Sequence, residues 1–180
     1  MTDFNREIRD DTIARLKGLS RYAPTGRPGS PAQIRRTPIM PPQVDDLPCL
    51  LVYLTGQRMT PPGDANAGQP DFVHEAVLNI SGVLAADDED DLDDRTSAAA
   101  AEILETLLED PDWLKQFEAI TAIEQRVGFD QQNYLAAIVL TSITITYRTN
   151  WPPRVPDDFA TIHMRTPDGR GADYPVNPEA

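Results

Sequence analysis

The chain has 180 residues, 40% of them hydrophobic, enough for one domain with a packed core and little room for two. Its 29 acidic residues against 16 basic ones leave a net charge of −13, which favours solubility and argues against adhesion to DNA, RNA or an anionic membrane. A single cysteine, Cys49, provides no intrachain disulfide framework, and the two histidines, His74 and His163, are too far apart for a recognisable zinc motif.

The start, MTDFNREIRDD, is charged and lacks the apolar stretch of a signal peptide. No apolar run approaches the ~18 residues of a membrane span. These features predict a reducing, cytosol-type compartment and no membrane association. Thr2 or Asp3 can cap a first helix, in which Phe4, Ile8, Ile13, Leu16 and Leu19 recur at helical spacing. Gly18 and Pro24 bracket its end.

Residues 22–47 are long, proline-rich and locally basic, with Arg21, Arg27, Arg35 and Arg36 in or beside the stretch. A connection of this length is either a binding arm that wraps a partner subunit or a plain surface loop. LPCLLVYLTGQ, residues 47–57, reads as a strand. After a turn-rich loop over 60–70, residues 72–84 form a second strand. Phe72, His74, Ala76, Leu78, Ile80 and Leu84 share one face. The two strands predict an antiparallel hairpin with a long loop.

The acidic run DDEDDLDD, residues 87–94, is predicted to be a solvated loop before a helix at about 95–109, where negative charge suits the helix N-terminus. A calcium loop starting at Asp87 fails, because Leu92 stands at the glycine position and Ala98 at the bidentate glutamate position. Ile103, Leu104, Leu107 and Leu108 predict the buried stripe of the helix. Asp110 and Pro111 can cap and begin a short second helix carrying Trp113, Leu114 and Phe117. Residues 117–129 predict a strand in which Ile120, Ala122 and Glu124 alternate with Thr121, Ile123 and Gln125.

The longest β-type run is NYLAAIVLTSITITYR, residues 133–148. Leu140, Ser142, Thr144 and Thr146 fall on one face and Thr141, Ile143, Ile145 and Tyr147 on the other. It predicts an interior strand and the last long one. Beyond Asn150 the composition turns rich in Pro, Gly and Asp, broken by a strand-like piece over 159–164. The pattern as a whole predicts an α/β (α+β) fold: a mixed or mainly antiparallel sheet of four to five strands packed by two to three helices. Residues 1–165 form the domain and 166–180 an extended C-terminal tail.

No GxSxG elbow, P-loop or GxGxxG is present. Without a motif, no catalytic, cofactor or metal residue is assigned. The order of features resembles the phage tail terminator, or tail-completion, family, of the minor tail protein U type. The resemblance is carried by an amphipathic N-terminal helix, a long loop into LPCLLVYL, a long-looped hairpin partner, an alanine/leucine helix, the strand ITITYRTNWPP and DDFATI, over about residues 5–165.

The resemblance implies a structural virion protein and no enzyme. Copies would form a hexameric ring that caps the tail tube at its head-proximal end, stops polymerisation and docks the head connector. Its partners would be itself, the tail-tube protein and the connector or neck protein, with genomic DNA passing through without specific binding. Assembly would take place in the host cytoplasm. On that reading Asp87, Asp88, Glu89, Asp90, Asp91, Asp93 and Asp94 are candidates for the channel or its rim. Arg35, Arg36, Trp151 and Arg154 are candidates for subunit or partner contacts. Another neck or head-completion role, or a cytosolic enzyme using His74 or His163 with carboxylates, remain the alternatives.

Overall fold

The computed structural model describes residues 4–23, 31–36, 47–63, 71–85, 88–130, 136–150, 161–165 and 171–175. Helix α1 (Phe4–Leu16) is followed by a 3₁₀ turn over Ser20–Tyr22 and a two-residue strand, β1 (Ile34–Arg35). Then come β2 (Cys49–Thr60), β3 (Asp71–Ala85), α2 (Glu89–Leu108), α3 (Pro111–Leu114), β4 (Ala119–Asp130) and β5 (Ala136–Asn150). The order in the sheet is β1-β2-β3-β5-β4. β1 is parallel to β2 and the other pairings are antiparallel. The domain is therefore an α+β fold on a mixed five-stranded sheet. After it, β6 (Thr161–Arg165) and β7 (Gly171–Pro175) pair antiparallel with each other.

The helices cover one face of the sheet. α1 packs on β2 and α2, and α2 lies over β3 and β5. In β5, Thr141, Ile143, Ile145 and Tyr147 are buried under them, as the alternation predicts. In β3, His74, Ala76, Leu78, Ile80 and Leu84 form the same layer. α1 contributes Ile8, Ile13 and Leu16. A smaller apolar cluster of Leu47, Cys49, Leu51 and Val83 occupies the opposite face. Beside it, Asn79 donates to Thr55 Oγ1 (2.6 Å) and accepts from Ser142 Oγ (2.8 Å), so a polar band crosses three strands.

Two bulges reset the faces. In β2 the register skips Gly56, which has φ 69. This left-handed backbone favours glycine and is the usual device of such a bulge. Gln57 and Met59 consequently share the helix-side face with Leu50, Val52 and Leu54. In β4 the register skips Thr121, so Ile120 and Ile123 fall on one face. The simple alternation read from the sequence is corrected here, because a one-residue bulge inverts parity.

α2 begins earlier than the sequence suggests, and its stripe is different. Leu92, Thr96, Ala99, Ile103 and Leu107 are buried, while Leu104 is half-buried and Leu108 is exposed. Thr96 tolerates burial because its hydroxyl donates to Asp93 O (2.8 Å). α3 starts as predicted, with Asp110 Oδ1 accepting from the N–H groups of Asp112 and Trp113, but it ends at Leu114, so Phe117 lies beyond the helix. Arg15 adds an ion pair to Asp110 (3.0 Å) and fastens α1 to this corner.

Candidate functional site

The acidic run is the opening of α2, not a loop ahead of it. Asp88 is the N-cap, its carboxylate accepting from Asp91 N (2.8 Å), and Glu89 is the first helical residue. Leu92 enters the core and fixes the helix rotation, so Asp90, Asp93 and Asp94 are exposed with Asp88. Asp91 is drawn into an ion pair with Arg95 (2.8 Å). Arg95 also donates to Ala85 O (3.1 Å), pinning the acidic end beside the end of β3. The charges are tolerated because a helix N-terminus favours them. Asp87 lies outside the described residues. Among the described residues no three His, Cys, Asp or Glu side chains come together as metal ligands.

The two described arginine candidates follow one another at the end of β1 and are already engaged. Arg35 lies in β1 opposite Leu51. Arg36 reaches Asp10 of α1 at 3.6 Å. Burial opposes ionisation of Asp10, but a hydrogen bond from Arg9 and the charges of Arg36, Arg9 and Arg6 outweigh it and hold the carboxyl below its ordinary value. Arg21 makes a two-pronged bond to Glu102 of α2, at 3.1 and 2.9 Å. This clamp was not singled out by sequence. Part of the 22–47 stretch is thus structural: Tyr22 is buried and Ile34–Arg35 add a strand. Trp151 and Arg154 lie outside the described residues.

A polar constellation missed by sequence reading sits where α1 meets β2, β3 and β5. Asn5 Nδ2 donates to Gln57 Oε1 (2.9 Å), and Gln57 Nε2 donates to the Tyr147 hydroxyl (2.9 Å). That hydroxyl closes the ring by donating to Asn5 Oδ1 (2.8 Å). The second Gln57 Nε2 hydrogen points at His74 Nδ1 (2.6 Å), which must therefore accept. The imidazole proton is then on Nε2, donated to Thr149 Oγ1 (2.6 Å). His74 stacks on Tyr147 at 4.6 Å and is only 4% exposed. The partners come from residues 5, 57, 74, 147 and 149, and only the β3–β5 register brings His74 opposite Tyr147.

Burial lowers the His74 pKa from its ordinary value of 6.5. A second proton would also set an N–H against the Gln57 amide N–H. The folded state therefore holds His74 neutral, and its contribution is fully present above pH ~6.5. As pH falls below that value, the unfolded chain takes up the proton first and stability declines. Urea midpoints measured from about pH 8 to about pH 5 are expected to fall, and to fall less in His74→Gln. Equal pH slopes in the two proteins would refute this assignment.

The sheet also carries an open edge. Residues 121–129 of β4 are all exposed, including Ile123, Val127 and Phe129. Together these features define an α+β domain with a fixed acidic helix end, a closed hydrogen-bond ring and, among the described residues, an unpaired outer edge on β4. No protein-family model and no curated protein matches the chain.

Proposed function

We propose that this chain is a structural subunit of a phage tail. Its copies form a ring that caps the tail tube at the head-proximal end, halts tube growth and offers a docking face to the head connector. The supporting observation is the acidic start of α2, where Asp88, Asp90, Asp93 and Asp94 are exposed on a helix anchored by Leu92 and Thr96. A channel for DNA must repel phosphates without moving, and carboxylates on an anchored helix meet both needs. The resemblance in chain order supplies the particular role.

Particles assembled without the chain should carry over-long tails. Full heads without tails would overturn the reading in favour of a neck protein. Replacing Asp88, Asp90, Asp93 and Asp94 together by Asn keeps the helix cap, since Asn caps as well as Asp. Tails of normal length with slowed DNA ejection are expected, the slowing being larger at low salt, where phosphate attraction is less screened. Ejection and tail length both unchanged would remove the acids from the channel.

A further inference from the structure

β4 ends the sheet, and among the described residues no strand pairs with its outer edge. Ile123, Val127 and Phe129 are 38%, 48% and 54% exposed. Their register partners in β5 are Ile143, Val139 and Ala137, all buried on the helix side. The three apolar side chains therefore line that same side of the open edge. A bare apolar edge strand is a template for another strand.

The order of residues along β4 specifies which strand. The segment Thr121–Phe129, TAIEQRVGF, is self-complementary about Gln125. Run antiparallel to itself with Gln125 opposite Gln125, it sets Glu124 opposite Arg126 and Ile123 opposite Val127, each twice. Ala122 meets Gly128 and Thr121 meets Phe129. Sliding the register by two residues brings Glu124 against Glu124, or Arg126 against Arg126. Sliding by one sets Ile123 against Arg126, or Val127 against Glu124. Of these registers only the centred one joins opposite charges and like faces, and directly opposed like charges in a sheet are unfavourable.

We propose that β4 pairs with β4 of a second copy of this chain, antiparallel, about a two-fold axis at Gln125. The two sheets become one continuous sheet. Glu124 and Arg126 now bond each other along one strand at 3.0 Å while both are well exposed. In the pair each gains an opposite charge directly across the interface. The Gln125 side chain is turned onto α2 and β5, donating to Ala100 O (3.0 Å) and Thr141 Oγ1 (3.3 Å). The centre of the edge is thereby left clear. Such an interface is isologous and closes after two copies. It is a state distinct from a rotational ring and does not depend on the tail-cap reading.

Cysteine cross-linking tests the axis directly. Gln125→Cys places two thiols opposite each other at the axis, within disulfide reach. Val127→Cys places them four residues apart along the strands, roughly 13 Å, which is out of reach. The native Cys49 is buried. Under mild oxidation a covalent dimer is expected from Gln125→Cys and not from Val127→Cys. By sedimentation the wild-type chain should run at twice 19.9 kDa. Glu124→Arg or Arg126→Glu should each weaken the dimer roughly tenfold, and the two together should restore it. A wild-type monomer at about 50 µM, well above the Kd of a specific dimer, would overturn the proposal. So would equal cross-linking of both cysteine variants, or a double variant as weak as the singles.

Discussion

Trp113→Ala is expected to cost about 3–5 kcal/mol, a large share of the roughly 5–15 kcal/mol that holds a domain folded. Trp113 is fully buried between α1, α2 and the sheet, with Phe117 edge-on at 4.9 Å. Its indole N–H donates to Thr12 Oγ1 (3.0 Å), and that hydroxyl donates to Ile8 O (2.8 Å). The side chain thus fills volume and also ties α3 to α1 through the fully buried Thr12. Trp113→Phe should lose clearly less, because the ring is kept and Thr12 retains its bond to Ile8. Urea unfolding with unchanged slope would measure both. An alanine loss below about 1 kcal/mol would mean that the corner collapses without the indole.

The second large effect belongs to Gly82. A Cβ added there would overlap the Tyr22 hydroxyl and stand 3.1 Å from the ring carbon that bears it. Tyr22 is fully buried on β3, and its hydroxyl has no hydrogen-bond partner among the described residues. Burial, with help from the Glu102 charge, pushes the phenol pKa far above its ordinary 10. Gly82→Ala is expected to cost about 1–3 kcal/mol by overpacking. Tyr22→Phe alone should cost little or stabilise, because it removes a desolvated hydroxyl with no partner. The double variant should be more stable than Gly82→Ala alone. Strict additivity in that cycle would show that the clash is relieved elsewhere.

Much of this fold was legible in residue spacing. The face assignments of β3 and β5, the α1 stripe and the Asp110–Pro111 start of α3 all follow from period and capping, which act locally. The misreadings have local causes too. Seven acids in eight positions read as solvent, yet Asp88 caps a helix and Leu92 sets its phase, so the charge sits on the first turns of α2. Thr12 and Thr96 are buried because their hydroxyls bond to the preceding turn, which polarity by itself conceals. Bulges at Gly56 and Thr121 add a residue to one strand and not to its neighbour, something no alternation count can register. The ring around His74 draws on residues separated by up to 142 positions, and only the folded register makes them neighbours. Of the site candidates, the sequence placed the acidic run ahead of a helix and not on its first turns, and it passed over the self-complementary edge of β4.

The bulge at Gly56 has a reach beyond its own turn. Upstream of it, β2 sends Leu50, Val52 and Leu54 toward the helices; downstream it sends Gln57 and Met59. Were Gly56 taken into the ladder as an ordinary strand residue, the same strand would offer Arg58 to the N-terminal end of α1, and the Asn5–Gln57–Tyr147 ring would have no second member. One glycine therefore works as a phase shifter. It splices a greasy half-strand to a polar one while keeping both aimed at the same helix, and the seating of α1 is written into backbone phase as much as into side-chain chemistry.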